Sequence, residues 1–137
     1  MKRRSIYFTV KRSKLIPMLQ VLDLPEPLVS VGIRPTTTIA PQALMFMNNP
    51  NVRVMARSFA DRLMKLPGSS STSERIEYAY LASLSRQPTV AEVAEANTFL
   101  DNQITSYVAD QAKTPTAQAL TDFCQILFSL NEFLYLE

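Results

Sequence analysis

The chain from Pro41 onward carries apolar side chains at helical spacing. A first helix is predicted from Pro41 to about Asn48, and Asn49-Pro50 begins a second that runs to about Leu66, because an asparagine N-cap followed by proline favours a helix start. Apolar residues recur every three or four positions on this second helix, which predicts one buried stripe. That stripe consists of Val52, Met55, Phe59 and Leu63.

Two capping boxes indicate where the next two helices begin. In Ser71–Glu74 and in Thr89–Glu92, a hydroxyl residue stands three positions before a glutamate, so that side chains and backbone amides can satisfy one another. The helices are predicted to end near Ser85 and Asp110. Their buried faces are predicted to be Ile76, Ala79, Tyr80 and Leu84 on the first, and Val93, Leu100, Ile104, Tyr107 and Val108 on the second.

A final long helix is predicted to be capped by Thr114-Pro115 and to run to about Leu130. From Leu120 onward it is apolar on nearly every side, which is typical of a helix in the middle of a bundle. The following segment, Glu132 to Tyr135, is expected to pack back onto the bundle. The pattern as a whole predicts a mainly α fold, a compact bundle of five to six helices over residues 41–137.

The first forty residues have a different pattern. The segment Ser5–Val10 is rich in β-branched and aromatic residues, which predicts an extended arm or one short strand. Leu15 to Leu22 fits a short helix with Pro17 in its first turn. Residues 23–40 are rich in proline and predict an irregular excursion. We therefore expect residues 1–40 to form a basic extended arm and proline-rich excursion, packed on the bundle within a single domain.

The chain contains few of the side chains that proteins most often use for catalysis and metal binding. The chain has no histidine, one cysteine and only two glycines. Haem attachment needs Cys-x-x-Cys-His, and zinc sites need several cysteine, histidine or carboxylate ligands. We therefore predict no catalytic residue, no metal ligands and no cofactor in this chain. Cys124 is expected to be a buried, inert thiol, and the six methionines are expected to fill the core.

The net charge of +2 conceals an asymmetry along the chain. Residues 1–66 hold eleven lysines and arginines against three acids, whereas residues 67–137 hold three against nine. Either the two halves complement each other, or the basic half faces an acidic partner. The basic residues around the N-terminal aromatic segment could suit single-stranded nucleic acid. The small net charge and the lack of a nucleic-acid motif argue against that partner, and no apolar run is long enough to span a bilayer.

Polar residues around the proline-rich excursion form the candidate site. Arg34, beside the Thr36–Thr38 loop, could bind an anion or carboxylate with two parallel hydrogen bonds, or could form an internal ion pair with Asp23 or Glu132. The amides near it in sequence are either helix caps or part of a binding surface. The candidate interaction or anion-binding residues are thus Arg34, Thr38, Gln42, Asn48 and Asn49.

Several of these segments resemble one known family. They are Arg3–Tyr7, Ser30–Arg34, Thr37–Leu44, Asn48–Val52 and Asn131–Tyr135. In this order they resemble the planctomycete-specific domain of unknown function found at the C-terminal end of large secreted proteins, many of which carry cytochrome c-like modules. The chain departs from the family at Ser129-Leu130, where an Asn-Ser pair is usual. It also has Ser85 in the Leu84–Pro88 turn, where a small residue, often glycine, is common, and Arg86 is expected to pin this turn.

The resemblance implies architecture and context but no reaction, because the family has no established activity. It implies that the chain is the C-terminal part of a larger secreted or periplasmic protein, with haem possible elsewhere in that protein. The expected partners are other domains of the same protein or a protein partner. The expected function is a non-catalytic structural or protein-interaction domain. The alternative is part of an enzyme or ligand-binding domain, one acting on polysaccharide for example, whose pocket includes Arg34 and the Thr36–Thr38 loop.

Overall fold

Seven α-helices account for most of the residues that the structure describes. The computed structural model describes residues 7–9, 11, 14–22, 24, 32, 40–66 and 71–134, and this part contains no β-strand. The helices are α1 Pro17–Val21, α2 Ala40–Asn48, α3 Pro50–Met64, α4 Thr72–Leu84, α5 Val90–Ala109, α6 Pro115–Ser129 and α7 Asn131–Leu134. The predicted mainly α fold is confirmed: among the described residues, six helices, α2–α7, lie in the segment for which five to six were predicted, and α1 lies where a short helix was predicted.

The chain divides into two compact units, residues 1–45 and 46–137. In the first unit, α1 begins at a proline, as predicted, because the missing N–H of Pro17 would have no partner at the first helical position. The buried Gln42 donates from Nε2 to the carbonyl oxygen of Val21 over 2.9 Å. The predicted strand Ser5–Val10 falls largely outside the described residues. That strand, and the domain division at residue 40, stay predictions.

The second unit is arranged around α6, which contacts α3, α4, α5 and α7. Phe123, Cys124 and Leu127 of α6 are buried, which confirms the predicted central position of this helix. The core contains small residues as well as large ones, and each alanine allows a neighbouring helix to approach closely. The buried cluster consists of Ala56, Ala60, Leu63, Ile76, Ala79, Tyr80, Ala96, Leu100, Ala119, Leu120, Phe123, Cys124 and Leu127.

The segment after α6 packs back onto the bundle, as predicted, as far as the structure describes it. The short α7 contacts α6 and α4. The ring of Phe128 lies 5.0 Å from that of Phe133 in α7 and 5.8 Å from that of Phe59 in α3, measured between centroids. Such aromatic pairs stabilise beyond the area that they bury. None of the helices in the described part of the chain combines the length and apolarity that crossing a membrane requires.

The predicted buried stripe of α3 is partly wrong. Val52 and Leu63 are buried, but Met55 is 55% exposed, and the alanines Ala56 and Ala60 take the buried positions instead. The buried face of α3 therefore contains Ala56 and not Met55. Small side chains are needed there because α6 packs closely against α3. Met47, Met55 and Met64 are all exposed, so the expectation that methionines fill the core is wrong for these three. Val108, predicted on the buried face of α5, is also exposed.

The helix starts follow the local sequence with one exception. The side chains of Ser71 and Thr89 accept hydrogen bonds from the amides of Glu74 and Glu92, and both glutamates bond back, so both capping boxes are confirmed. Thr114 occupies the N-cap position of α6 but makes no side-chain capping bond, which contradicts the predicted cap. Proline at the first position of α6 lowers the need for one, since its nitrogen carries no hydrogen to satisfy.

Candidate functional site

The predicted site residues fall in different parts of the chain. Arg34, Thr38 and the rest of the Thr36–Thr38 loop lie outside the described residues, so the proposed pocket around them stays a prediction. Asn49 is an N-cap whose Oδ1 accepts a hydrogen bond from the amide of Asn51 over 2.8 Å. That bond confirms the capping interpretation for Asn49. Asn48 is the exposed last residue of α2, and Gln42 is buried and bonds within the first unit.

A polar cluster on one side of α6 joins three helices. Arg53 of α3 forms an ion pair with Asp122 of α6, and its Nη1 donates to Oε1 of Gln125 over 2.9 Å. The hydroxyl of Tyr107 in α5 donates to the other carboxylate oxygen of Asp122 over 2.7 Å. Its bond to Asp122, together with partial burial, raises the pKa of Tyr107. The arginine charge and the carboxylate charge of this cluster therefore neutralise each other.

Gln125 extends the same cluster to the end of α2. Its Nε2 donates to the carbonyl oxygen of Met47 over 2.7 Å and, more weakly, to that of Phe46 over 3.3 Å. These carbonyls belong to the last turn of α2, where a helix has no internal partner for them. The side chain of Gln125 thus bonds to both α3 and the C-terminal turn of α2.

Two cavities follow the line along which α3 and α6 pack. The first, of about 430 Å³, lies between α3 and the first half of α6, where it is lined by Val54, Arg57 and Met64 opposite Thr114 and Gln118. The second, of about 360 Å³, is lined by Met47, Gln125, Ile126 and Leu130 among others. Arg53 lines both cavities. We refer to the two together as the α3–α6 groove.

The α3–α6 groove combines exposed apolar surface with polar groups. Val54 is 64% exposed and Ile126 is 44% exposed, and both belong to the groove lining. Arg57 is exposed and forms no ion pair with any residue that the structure describes. The Oε1 atom of Gln118 is buried and has no hydrogen-bond partner within the same described part. The groove therefore combines an arginine that forms no ion pair with the described residues, an aspartate one turn after it on α3, and several exposed apolar side chains.

A second polar cluster fixes the turn between α4 and α5. The Arg86 guanidinium binds Glu92 of α5 through two hydrogen bonds of 2.7 and 2.9 Å, and Glu132 of α7 through two more of the same lengths. It also lies over the ring of Tyr80, 5.5 Å from the centroid. Hydrogen bonds from Arg86, and then from the amide of Thr89, lower the pKa of Glu92 to about 2. The prediction that Arg86 pins this turn is confirmed, and the cluster is structural.

The remaining candidates for chemistry have structural roles. Cys124 is fully buried, and burial raises its pKa to about 12, so the reactive thiolate is scarce at neutral pH. Among the residues that the structure describes, no three histidine, cysteine, aspartate or glutamate side chains are grouped so that they could hold a metal ion. The expectation about cofactors stays a prediction.

Polar residues in the sequence indicate the α3–α6 groove, although the apolar pattern of the same helices is more prominent. Arg53 and Arg57 are four residues apart and therefore share one face of α3. Asp122, Gln125 and Ser129 recur at spacings of three and four, which makes a polar stripe along α6. The prediction that α6 is apolar on nearly every side is wrong for this stripe.

Comparison with known proteins places the chain in a family. Residues 1–100 match the family described as protein of unknown function (DUF1553), which is well over half of the chain. The chain belongs to this family. No curated protein and no solved structure matches it. The resemblance noted in the sequence is thus confirmed as membership of a family of unknown function, while the planctomycete and cytochrome associations stay predictions.

Proposed function

We propose that this chain is a non-catalytic protein-interaction domain that binds its partner through the α3–α6 groove. The observation that carries the proposal is the exposed apolar surface of Val54, Met64 and Ile126 in two cavities that share Arg53 as a lining residue. Contiguous apolar surface bordered by polar side chains is typical of interaction sites. The polar side chains at its border, Arg57 and Gln118, provide specificity that apolar contact alone would lack.

The ion pairs formed by the acidic side chains support a non-catalytic role. In the described part of the chain, Asp122 is bound to Arg53, and both Glu92 and Glu132 are bound to Arg86. Catalytic acids and bases need a proton that can move within a cleft, whereas these carboxylates are held ionised between helices. The thiol of Cys124 is enclosed by the core. The groove side chains are therefore better suited to binding than to a reaction.

The wider context of the proposal comes from the resemblance in sequence. We propose that the domain is the C-terminal part of a larger secreted protein associated with cytochrome modules. Another domain of that protein is then the first candidate for the partner. Any haem would be bound by other parts of the protein, since this chain has no histidine and a single cysteine.

Site-specific photocrosslinking in the full-length protein tests the proposal. A photoreactive residue replaces Val54 in one variant and Ile126 in another, and the crosslinked peptides are identified by mass spectrometry. Val90 provides the control, because it is 90% exposed at the start of α5 and lines neither cavity. We expect crosslinks to another domain or a protein partner from the two groove positions only. Equal crosslinking from Val90, or none from the groove, would contradict the proposal.

A further inference from the structure

We propose that α7 is an intramolecular ligand: it fills a docking site for a partner segment in which a glutamate precedes an aromatic residue, and it detaches when that segment binds. The site consists of one edge of the Arg86 guanidinium and the ring of Phe128, and we refer to it as the α7 docking site. Neither residue lines the α3–α6 groove, so this proposal does not depend on the proposed function.

The Arg86 guanidinium is held so that one of its edges faces α7. Its Nη1 and Nη2 donate to Glu92 of α5 over 2.9 and 2.7 Å, and its Cζ lies 5.5 Å from the ring centroid of Tyr80 in α4. Its Nε and Nη2 donate to the carboxylate of Glu132 in α7 over 2.7 and 2.9 Å. Because Glu92 and Tyr80 orient the guanidinium without help from α7, its second edge stays oriented for a carboxylate when α7 detaches.

The ring of Phe128 supplies the apolar half of the α7 docking site. It is stacked on Phe59 with 5.8 Å between centroids, and it contacts the ring of Phe133 with 5.0 Å between centroids. Phe59 and Phe128 belong to the long helices α3 and α6, so this surface does not need α7. Glu132 and Phe133 are neighbours in the chain, so one dipeptide satisfies both halves of the site. The chain itself therefore shows which occupant the site accepts.

The contacts that hold α7 are few and exposed. None of its four residues, all of which the structure describes, is buried, and Phe133 remains 38% exposed. The side chain of Glu132 is 45% exposed, and exposed ion pairs contribute little to stability. The hydrogen bonds of Arg86 lower the pKa of Glu132, but the nearby charge of Glu92 opposes that effect, since two carboxylates share one guanidinium. Segments with so few buried contacts open at a much lower free energy than the core.

Leu130 lets α7 leave without unwinding α6. It separates the two helices and is extended, with φ of −68° and ψ of 143°. A change in its backbone angles therefore moves α7 as a unit, while the buried residues of α6 keep their contacts.

Binding of a synthetic peptide to the full 137-residue chain tests the proposal. The probe is a fluorescein-labelled peptide with the sequence of residues 129–134, and fluorescence anisotropy measures its affinity for the wild type and two variants. Glu132→Gln weakens one contact of α7, and Glu132→Gln combined with Phe133→Ala removes both. The apparent affinity falls with the fraction of molecules whose site is closed. We therefore expect the affinity to rise from wild type to single to double variant, by about tenfold or more overall.

Two controls separate the α7 docking site from nonspecific binding. Asp101→Asn combined with Val108→Ala makes similar changes on the exposed surface of α5 and should leave the affinity at the wild-type value. A peptide carrying Glu132→Gln or Phe133→Ala should bind the double variant about tenfold more weakly than the native peptide, because it lacks the carboxylate or the ring. Protection of Cys124 from a thiol reagent shows that each variant is folded. If the double variant is not, the single variant provides the same comparison.

A peptide selection tests the chemistry of the partner segment. The probe is a phage-displayed library of random linear peptides, selected on the folded double variant and on the wild type. We expect the double variant to enrich sequences in which an acidic residue precedes an aromatic one, and the wild type to enrich them far less. A consensus without an acidic residue, or no enrichment, would contradict the proposed occupant.

The binding measurements can also overturn the proposal. Equal affinities of the wild type and the folded variants, equal binding of the native and substituted peptides, or no binding at all would make α7 a structural element only. None of the substituted positions lines the α3–α6 groove. Crosslinking from Val54 and Ile126 therefore decides the proposed function separately.

Discussion

The backbone of Ser85 at the end of α4 lies in the left-handed region, with φ of 60° and ψ of 21°. This conformation brings Cβ close to the following carbonyl oxygen in any residue except glycine. It is common at helix ends, where it lets the chain turn sharply and satisfies terminal carbonyl groups. A glycine at position 85 would adopt this conformation without strain.

We expect Ser85→Gly to raise the free energy of unfolding by about 0.5–1 kcal/mol, since it removes the strain at positive φ. Ala82→Gly is the matched control, because Ala82 is exposed within α4, where replacing alanine by glycine should cost about 0.5–1 kcal/mol. Urea denaturation measures both variants. The same sign of change in the two variants would show that backbone strain at Ser85 is not released by glycine.

Arg86 makes stability depend on pH through the two carboxylates that it binds. The hydrogen bonds of Arg86 lower the pKa of Glu132 and, with the amide of Thr89, lower the pKa of Glu92 from 4.5 to about 2. A carboxyl group whose pKa is lower in the folded state stabilises the fold above its unfolded pKa. That stabilisation is lost as the pH falls from about 4.5 towards 2.

We therefore predict that Arg86→Gln reduces stability at neutral pH and that its difference from the wild type shrinks below about pH 4.5. The measurement is the urea midpoint of both proteins at a series of pH values. Arg62→Gln serves as the control, because Arg62 is exposed and makes no ion pair with the described residues. A constant difference between wild type and Arg86→Gln at every pH would contradict the linkage to these carboxylates.

The helices show which parts of the fold are set locally. Both capping boxes are formed by residues three positions apart, so their geometry is encoded within one turn of chain. Thr114 precedes α6 without a capping bond, because its backbone, with φ of −140° and ψ of 67°, lies outside the extended conformation of Ser71 and Thr89, and Ala117 has no carboxylate to complete a capping box. A hydroxyl at the N-cap position does not by itself make a cap.

The energetic consequence is that two threonines at equivalent helix positions should respond differently to substitution. Thr89→Ala should lower the free energy of unfolding by about 1 kcal/mol, since the amide of Glu92 loses its acceptor. Thr114→Ala should change it by less than about 0.5 kcal/mol, as is usual for a surface substitution that removes no specific contact. Urea denaturation compares the two variants directly. Equal losses would mean that Thr114 contributes a contact that the structure lacks.

The contrast between local and distant contacts also explains what the sequence could predict. Helix bounds and caps follow from neighbouring residues, and most were predicted correctly. Whether Ala56 or Met55 enters the core depends instead on how closely α6 approaches α3. The spacing of apolar residues along the sequence does not give that distance. The Arg53–Asp122 pair joins residues 69 positions apart, so neither residue identifies the other in a single sequence. The α3–α6 groove was missed because the residues that line it come from helices far apart in the chain.

At the scale of the whole molecule, the buried core of the residues that the structure describes belongs to one of the two units. Every residue of the buried cluster lies between Ala56 and Leu127, within residues 46–137. The α3–α6 groove and the Arg86 cluster belong to the same unit. Burial of each leucine or isoleucine of such a core contributes about 1.5–3 kcal/mol. The stabilising interactions described for this unit lie within it.

This arrangement predicts that residues 40–137, which retain all of α2, fold on their own. We expect a helical circular dichroism spectrum, a single cooperative urea transition, and a Cys124 thiol that reacts with a thiol reagent only as the chain unfolds. Cys124 suits this test because it is the one cysteine of the chain and is fully buried in the core. Leu120→Ala in the same shortened chain is the internal standard, since a core cavity should cost about 2–5 kcal/mol and expose the thiol at lower urea. If Cys124 of the shortened chain reacts immediately in native buffer while that of the full chain does not, the core depends on residues before Ala40 and the second unit is not autonomous.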